Sequence, residues 1–541
     1  MEVILALDIG SSSVRCTAYS KNGTSVMSLP GNSCNISFRS VKPNSGKISL
    51  LFGKGTLMDA VDESVSSVLR KLRGLKQSFQ VVGVGFSSFV MNLIAVDAQG
   101  KFFDEEASIT YACNSPEVVN DCKQIREELG TEGLEELYQN TGAPIHSAYA
   151  LPQLRQLYKS YPEIVRKTFM WQSIASLCLC RWTGRNYLPI SYSEASWTGL
   201  LNFRDCAYEV GATELLPPGC RDSLPPLADF CETLPGIPEF LANSQPNKYW
   251  NEWPELRDTP LFLGLGDGAC ANIGSKCSTA SRIAVTIGTS AAARVCLNQA
   301  MGESRSLKVP KGLFCYRIDT SHVLLGGALT DGGSVVEWAE NFLNLKTKEA
   351  FLECLTKTED LARTDYSGVD TKTTTLSMIP FLSGERSTGF RDGATGAVMG
   401  LTRDTTPAHF LKACLESVAL RIRCILQLIV EARNVDEPPC VVVSGKALES
   451  NALWRQMIAD SSGLKVVLDK ETYEGTSRGV ARLISVALTT GKEQGKSGLL
   501  CEEEIGAHKT SEPNPDAHEY FDNAALAQQR YIEAISPLYN S

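Results

Sequence analysis

One pattern, used twice, constrains this chain more than any other feature. Residues 7–19 read LDIGSSSVRCTAY and residues 285–296 read VTIGTSAAARVC. Each copy is an apolar run, an Ile-Gly pair, small hydroxyl residues and a returning apolar run. The first run, VILALD, lacks helical spacing and reads as a buried strand. The glycine admits a tight turn that other residues resist. Either copy alone fits an ordinary hairpin. Two copies about half a chain apart, in 541 residues that exceed one compact core, suggest two related halves. Facing each other, the two turns would offer a nest of N–H and hydroxyl donors to a polyphosphate.

Each half also delivers an aspartate to a strand end. Asp8 closes the first run. Asp267 stands between glycines in PLFLGLGDGACANIG, residues 260–274, where a small-residue helix is expected to follow. Asp8 suits a hydrated Mg²⁺, which favours carboxylate and water ligands. Asp267 reads either as a helix cap or as a carboxylate beside an acceptor hydroxyl.

Bulk properties narrow the partners. The composition is 43% hydrophobic and 21% charged, with a formal charge of −9. No basic block offsets that charge, which argues against nucleic acid. No signal-like segment opens the chain. The apolar run TFMWQSIASLCLC (168–180) is too short to span a bilayer and is expected to form a buried helix. The eighteen cysteines contain no C-x-x-C pair and the five histidines are scattered, so buried thiols in a cytoplasmic protein are expected rather than a zinc site. No membrane partner is expected, and a homodimer stays open.

Ten pieces, in order, resemble the FGGY carbohydrate kinases of the actin, hexokinase and Hsp70 fold group. They are LALDIGSSSVR, GFSSFVMNLIAVD (85–97), TGAPIHSAYALPQL (141–154), SYSEASWTGLLNF (191–203), GLGDG (264–268), TIGTS, GGALTDGGSVVEW (326–338), FLSGERSTGFRDGATGAVMGLT (381–402), VVVSGKALESNALWRQMIAD (441–460) and PNPDAHEYF (513–521). TGAPIHSAYALPQL and LWRQMIAD are most similar to the gluconate kinases. The resemblance implies an α/β fold of two actin-like (ribonuclease H-like) domains, about 1–265 and 266–541, flanking an ATP cleft. It implies a metal-linked Asp8, Ser11, Ser12 and Arg15 near the phosphates, and Asp267 as catalytic base. Gly288 and Thr289 match the second phosphate turn; Gly333, Glu337, Gly445, Lys446 and Ser450 match positions bordering the nucleotide.

Phosphoryl transfer needs an acceptor in line with the γ-phosphate and neutralised phosphate charge. An aspartate of ordinary pKa, about 3.9, is a weak base toward an alcohol, so Asp267 is expected to orient the hydroxyl and take its proton late. The acceptor positions depart from the family pattern. Where relatives carry W-x-D-x-R, this chain has Tyr111, Cys113 and Ser115; where many carry a histidine after GFSS, it has Met91 and Asn92; an aspartate and a glycine give way to Ser191 and Lys446. Asn92 and Cys113 are the candidate acceptor contacts and Met91 is expected to pack. Arg15 and Lys446 reach phosphate or solvent, His146 contacts the acceptor or supports the fold, and Arg386 braces its loop or touches ligand. The expected activity is ATP- and Mg²⁺-dependent phosphorylation of a sugar or sugar acid, gluconate first. A ketopentose such as D-xylulose or D-ribulose, or another polyol, is the alternative; a sensing pseudokinase is a second, which retention of Asp267 disfavours. An Hsp70-like ATPase lacks room for a peptide-binding module.

Overall fold

The computed structural model describes residues 1–37, 42, 45–48, 55–302, 307–367, 376–391, 393–469, 475–490, 505 and 509–540; Asp392 of the 381–402 block lies outside them. Twelve strands form two main sheets. The first contains β1 (Glu2–Ile9), β2 (Ser13–Asn22), β3 (Ser25–Ser37), β4 (Gln80–Ser88) and β5 (Leu265–Gly266), in the order β5-β4-β1-β2-β3. The second contains β6 (Arg282–Ile287), β7 (Ala291–Asn298), β8 (Phe314–Arg317), β9 (His322–Leu329), β10 (Cys440–Ser444), β11 (Val466–Leu468) and β12 (Thr510–Ser511), in the order β8-β9-β7-β6-β10-β11-β12.

The two sheets repeat one plan. β1 pairs antiparallel with β2 and parallel with β4; β6 pairs antiparallel with β7 and parallel with β10. Each hairpin expected from the sequence is therefore the centre of its own sheet. The first strand's unbroken apolar run has its cause here. Val3 through Leu7 are fully buried because both faces of the sheet are covered. On one face Val3, Leu5, Leu7 and Ile9 pack against helices α1 (Leu57–Arg73) and α2 (Ile174–Thr183). On the other, Ile4 and Ala6 meet α3 (Asp267–Gly274) and the late helix α6 (Gly475–Thr490). In the second sheet Ile283, Val285 and Ile287 pack with α5 (Pro407–Ala432), and α4 (Gly333–Phe342) lies beside them.

Residues 168–180 do not form the single buried helix expected of them. Met170–Gln172 is a strand paired with Ile94–Val96, and α2 begins only at Ile174. Ser173 divides the run, its Oγ accepting the Ser176 N–H at 3.1 Å as an N-cap. A short apolar run has no period to separate strand from helix, and the capping serine decides.

The halves meet along β8. The Cys315 N–H donates to the Gly142 carbonyl at 2.9 Å, and Tyr138 Oη donates to the Leu313 carbonyl at 2.6 Å. A Cβ at Gly142 would lie 2.0 Å from the Cys315 carbonyl oxygen, so this contact requires glycine. α3 and α6 cross in the same way: a Cβ at Gly479 would lie 1.8 Å from the Cys270 carbonyl oxygen.

Candidate active site

Both hairpin turns close as the sequence suggested. The Gly10 N–H donates to Ser13 O at 2.8 Å and the Gly288 N–H to Ser290 O at 2.9 Å. Gly288, Thr289 and Ser290 are exposed, as is Ser12, with Ser11 half-buried. Among the described residues no backbone bond that holds the turns uses the N–H of Ser11, Ser12, Thr289 or Ser290, so those donors can face an anion.

Two glycine-bearing segments converge on the second turn. The amides of Gly332 and Gly333, at the start of α4, donate to Thr289 O and Gly288 O at 2.8 and 2.7 Å. A Cβ at Gly333 would lie 2.5 Å from the Gly288 carbonyl oxygen, and one at Gly445 would lie 2.3 Å from Ile287 O. Gly445 also adopts a φ of +105°, which L side chains rarely hold. Of the residues expected around the nucleotide, Gly288, Thr289, Gly333 and Gly445 thus meet directly. Glu337 lies one turn further along α4, exposed; Lys446 is exposed, and Ser450 Oγ donates to the Lys446 carbonyl at 3.0 Å.

Asp8 and Asp267 share one end of the first sheet. The register aligns Asp8 with Ser87 and Ile9 with Ser88; Ser88 in turn aligns with Gly266, the residue before Asp267. One strand separates the two, a backbone distance of about 10 Å. Ser87 Oγ donates to Asp8 Oδ1 at 3.1 Å, and Arg15, directly opposite on β2, lies 3.9 Å from Oδ2. Burial raises the Asp8 carboxyl, against the pull of Arg15 and Ser87. Among the described residues no group of three or more His, Cys, Asp or Glu side chains could hold a metal ion. The donors fit Mg²⁺ nonetheless, since that ion uses one or two carboxylate oxygens and keeps its waters; Asp8 would hold it.

Asp267 opens α3, with Gly266 as N-cap. Burial pushes its carboxyl up to about 6; Arg294 and the Gly268 N–H pull it down, and Asp8 pushes it further up. The loop before it is gripped by the segment 191–197. Ser191 Oγ donates to the Gly264 carbonyl at 2.5 Å, and the Gly266 N–H donates to Ser193 Oγ at 3.1 Å. A Cβ at Gly264 would lie 2.5 Å from the Glu194 carboxyl, and one at Gly266 would lie 2.4 Å from the Trp197 indole nitrogen. Glu194 is buried, accepts from Ser88 and Ser173 hydroxyls at 3.0 and 2.9 Å, and is pushed up to about 7 by burial.

Beyond Trp197 lies a cavity of about 60 Å³ walled by both halves: Tyr111, Tyr149 and Trp197 from the first, Phe314, Tyr316 and Arg386 from the second. Met91 and His146 line it too. Tyr149 and Tyr316 hydroxyls bond across the halves, and the Trp197 and Tyr316 rings lie 4.0 Å apart. The Arg386 guanidinium sits 5.9 Å from the centre of the Tyr111 ring, while its neighbour Glu385 is held by Arg421 and Arg391 at 2.9 and 3.0 Å.

Asn92 and Cys113 stand apart from this cavity. Asn92 Nδ2 donates to Ser88 Oγ and Phe89 O, and its Oδ1 accepts the Ile174 N–H at 2.7 Å. Cys113 is buried beneath residues 45–46, where a Cβ on Gly46 would lie 2.8 Å from its own Cβ. Three residues near Asp267 escaped sequence reasoning: Arg294, Glu194 and Trp197. A lone charge inside the apolar strand AAARVC was the available signal for Arg294.

The FGGY family model matches both parts of the chain: the N-terminal domain of these carbohydrate kinases over residues 3–274 and the C-terminal domain over 283–488. A gluconokinase of Bacillus licheniformis is 25% identical over 490 residues, spanning 89% of this chain and 86% of that one. The structure of a gluconate kinase from Lactobacillus acidophilus superposes with a TM-score of 0.79 at 22% identity, covering 100% of this chain and 99% of the other. A ligand-bound xylulose kinase from the same organism gives the same values. The fold is therefore the two-domain actin-like α/β arrangement that the sequence led one to expect. With both domain models matched in order along the chain, the chain belongs to the FGGY family of carbohydrate kinases.

Proposed function

We propose that this sugar kinase transfers the γ-phosphoryl group of ATP to a hydroxyl of a sugar acid, with gluconate the favoured acceptor. The halves divide the work near residue 265, the first supplying Asp8, Ser11, Ser12, Arg15 and most of the acceptor cavity, the second supplying the nucleotide surface around Gly288, Thr289, Gly333, Glu337, Gly445, Lys446 and Ser450. The observation that carries the reading is Asp267, half-buried, its flanking glycines packed on Trp197 of the cavity wall, and level with Asp8 at the same sheet end.

Bound Mg²⁺ supplies charge neutralisation at the phosphate oxygens. The chain's own residues do the rest. The N–H groups of both turns receive phosphate charge, Arg15 steadies Asp8, and Asp267 orients the acceptor hydroxyl and accepts its proton late. The cavity holds only a few waters and falls far below the roughly 300–1,000 Å³ of an ordinary ligand pocket. Acceptor entry accordingly requires the halves to part, and their closure excludes competing water.

A coupled ADP-release assay over sugars, sugar acids and polyols tests the reading. Gluconate should give the highest kcat/KM, and Asp267→Ala should lose turnover while still binding ATP. The neighbouring xylulose kinase fold supports one rival, a ketopentose acceptor; a preference for D-xylulose or D-ribulose would replace gluconate with it. Absence of ADP release with every acceptor would instead favour a non-catalytic sensor.

A further inference from the structure

Arg294 occupies a place that no acid among the described residues explains. Its strand, β7, sets it opposite Gly326, which in turn faces Phe314 on β8. Arg294 therefore projects on the cavity side of the sheet, with Phe314, Tyr316 and Ala328. A Cβ at Gly326 would lie 2.9 Å from Arg294 Cγ, so the bare glycine lets the arginine stem lie flat across it. At its far end Arg294 Nε stands 3.4 Å, and the Trp197 ring 3.0 Å, from where a Cβ on Gly268 would be. The guanidinium thus sits between the Asp267 loop and the cavity wall.

Its Nε is sealed from solvent without a hydrogen-bond partner, and no carboxylate among the described residues pairs with it. Asp267 feels its charge but forms no direct ion pair with it. Buried opposite charges left unpaired are costly. Here α3 and β7 hold them apart, the carboxylate at the start of one element and the guanidinium reaching across from the other.

We propose that Arg294 determines acceptor class, its guanidinium donating to the carboxylate of a sugar acid whose reacting hydroxyl lies at Asp267. The proposal rests on the kinase reading above and assigns it a residue. A guanidinium matches a carboxylate through two parallel N–H donors. A neutral ketose supplies no anion and leaves the buried donors unpaired, which is the strongest form of rejection a binding site has. Trp197, Phe314 and Tyr316 would cover the carbon chain. Arg386, at the Tyr111 end of the cavity, is the competing cation.

The test uses the full chain with Mg-ATP at pH 8, where Asp267 is ionised. The quantity read is the ratio of kcat/KM for gluconate to that for D-xylulose and D-ribulose, in wild type, Arg294→Gln, Arg294→Lys and Arg386→Gln. Because both acceptors use the same base, the ratio cancels any effect on Asp267. Arg294→Gln should lower it by about 100-fold or more, mainly through the KM for gluconate. Arg294→Lys, which keeps the buried charge and guards against loss of fold, should fall between. Calorimetric titration with gluconate should show the same weakening. A wild type that prefers gluconate, with an unchanged ratio in Arg294→Gln, overturns the role of Arg294 and leaves the gluconate reading standing. A ratio that collapses only in Arg386→Gln moves the carboxylate to the other end and also overturns it. A wild type that prefers ketoses removes the gluconate reading, and this proposal with it.

Discussion

Asp8 and Asp267 end two parallel strands of one sheet with a single strand between them, and the charge of Asp8 adds to burial in raising the Asp267 carboxyl. They are nonetheless held differently. Asp8 has Arg15 opposite and a hydroxyl donor in Ser87, as suits a group meant to stay charged. Asp267 has only the Gly268 amide and a distant guanidinium. On the proposed reading, the first would hold a cation and the second would receive a proton.

Replacing Asp267 should separate activity from stability. Asp267→Asn should lower kcat by roughly 10²–10⁴-fold while ATP affinity stays near that of wild type. The folded carboxyl titrates near 6 and the unfolded one near 3.8, so the folded chain holds this proton to higher pH. Stability therefore falls as pH rises through that window, and the ionised group costs on the order of 1–3 kcal/mol at pH 7. The asparagine variant should unfold at higher denaturant concentration than wild type at pH 7, with the difference vanishing below pH 4.

The same titration sets the acid limb of the rate profile. kcat/KM should fall below about pH 6 as Asp267 protonates. Arg294 pulls that pKa down, so Arg294→Gln should move the limb to higher pH for every acceptor. Initial rates from pH 5 to 9 measure it; an unmoved limb would detach Arg294 from the base.

Glu385 and Arg421 form a buried pair, 1% and 3% exposed, at the root of the loop that carries Arg386. Glu385→Ala strands the guanidinium and should cost about 3–5 kcal/mol in urea unfolding. The double variant Glu385→Leu with Arg421→Met should lose less than the sum of the two single changes.

Gly333→Ala and Gly445→Ala should both weaken nucleotide binding by at least about tenfold, since each new Cβ would meet the carbonyl of the second turn or its strand, at 2.5 and 2.3 Å. Gly445→Ala should also cost stability because of its φ of +105°. Titration with ATP and thermal unfolding distinguish the two effects.

What could be read from the sequence was whatever local chemistry decides. The two hairpins, the strand ends at Asp8 and Asp267, and the small-residue helix after GLGDG depend on runs of neighbouring residues, and all stand as expected. The run 168–180 was misjudged because strand and helix differ by period, which a short apolar stretch lacks. Arg294 and Trp197 were missed for another reason: their importance comes from register and from the bare glycines at 326, 266 and 268, which only the folded partner strands reveal. Asn92 looked available for ligand because its tie to the distant Ile174 N–H, beside its local bonds to Ser88 and Phe89, forms only in the fold.

The late helix α6 has a consequence for how the protein is made. Tyr19 Oη bonds Ser477 Oγ at 2.9 Å across 458 positions, and Ile484 fills the spaces left by Gly83 and Gly85. While the ribosome is still adding the second half, the first sheet must wait with one greasy surface uncovered. Emergence of residues 475–490, rather than of the amino-terminal portion, is the moment at which that surface can close, and a nascent chain stalled before residue 475 should be a customer for chaperones.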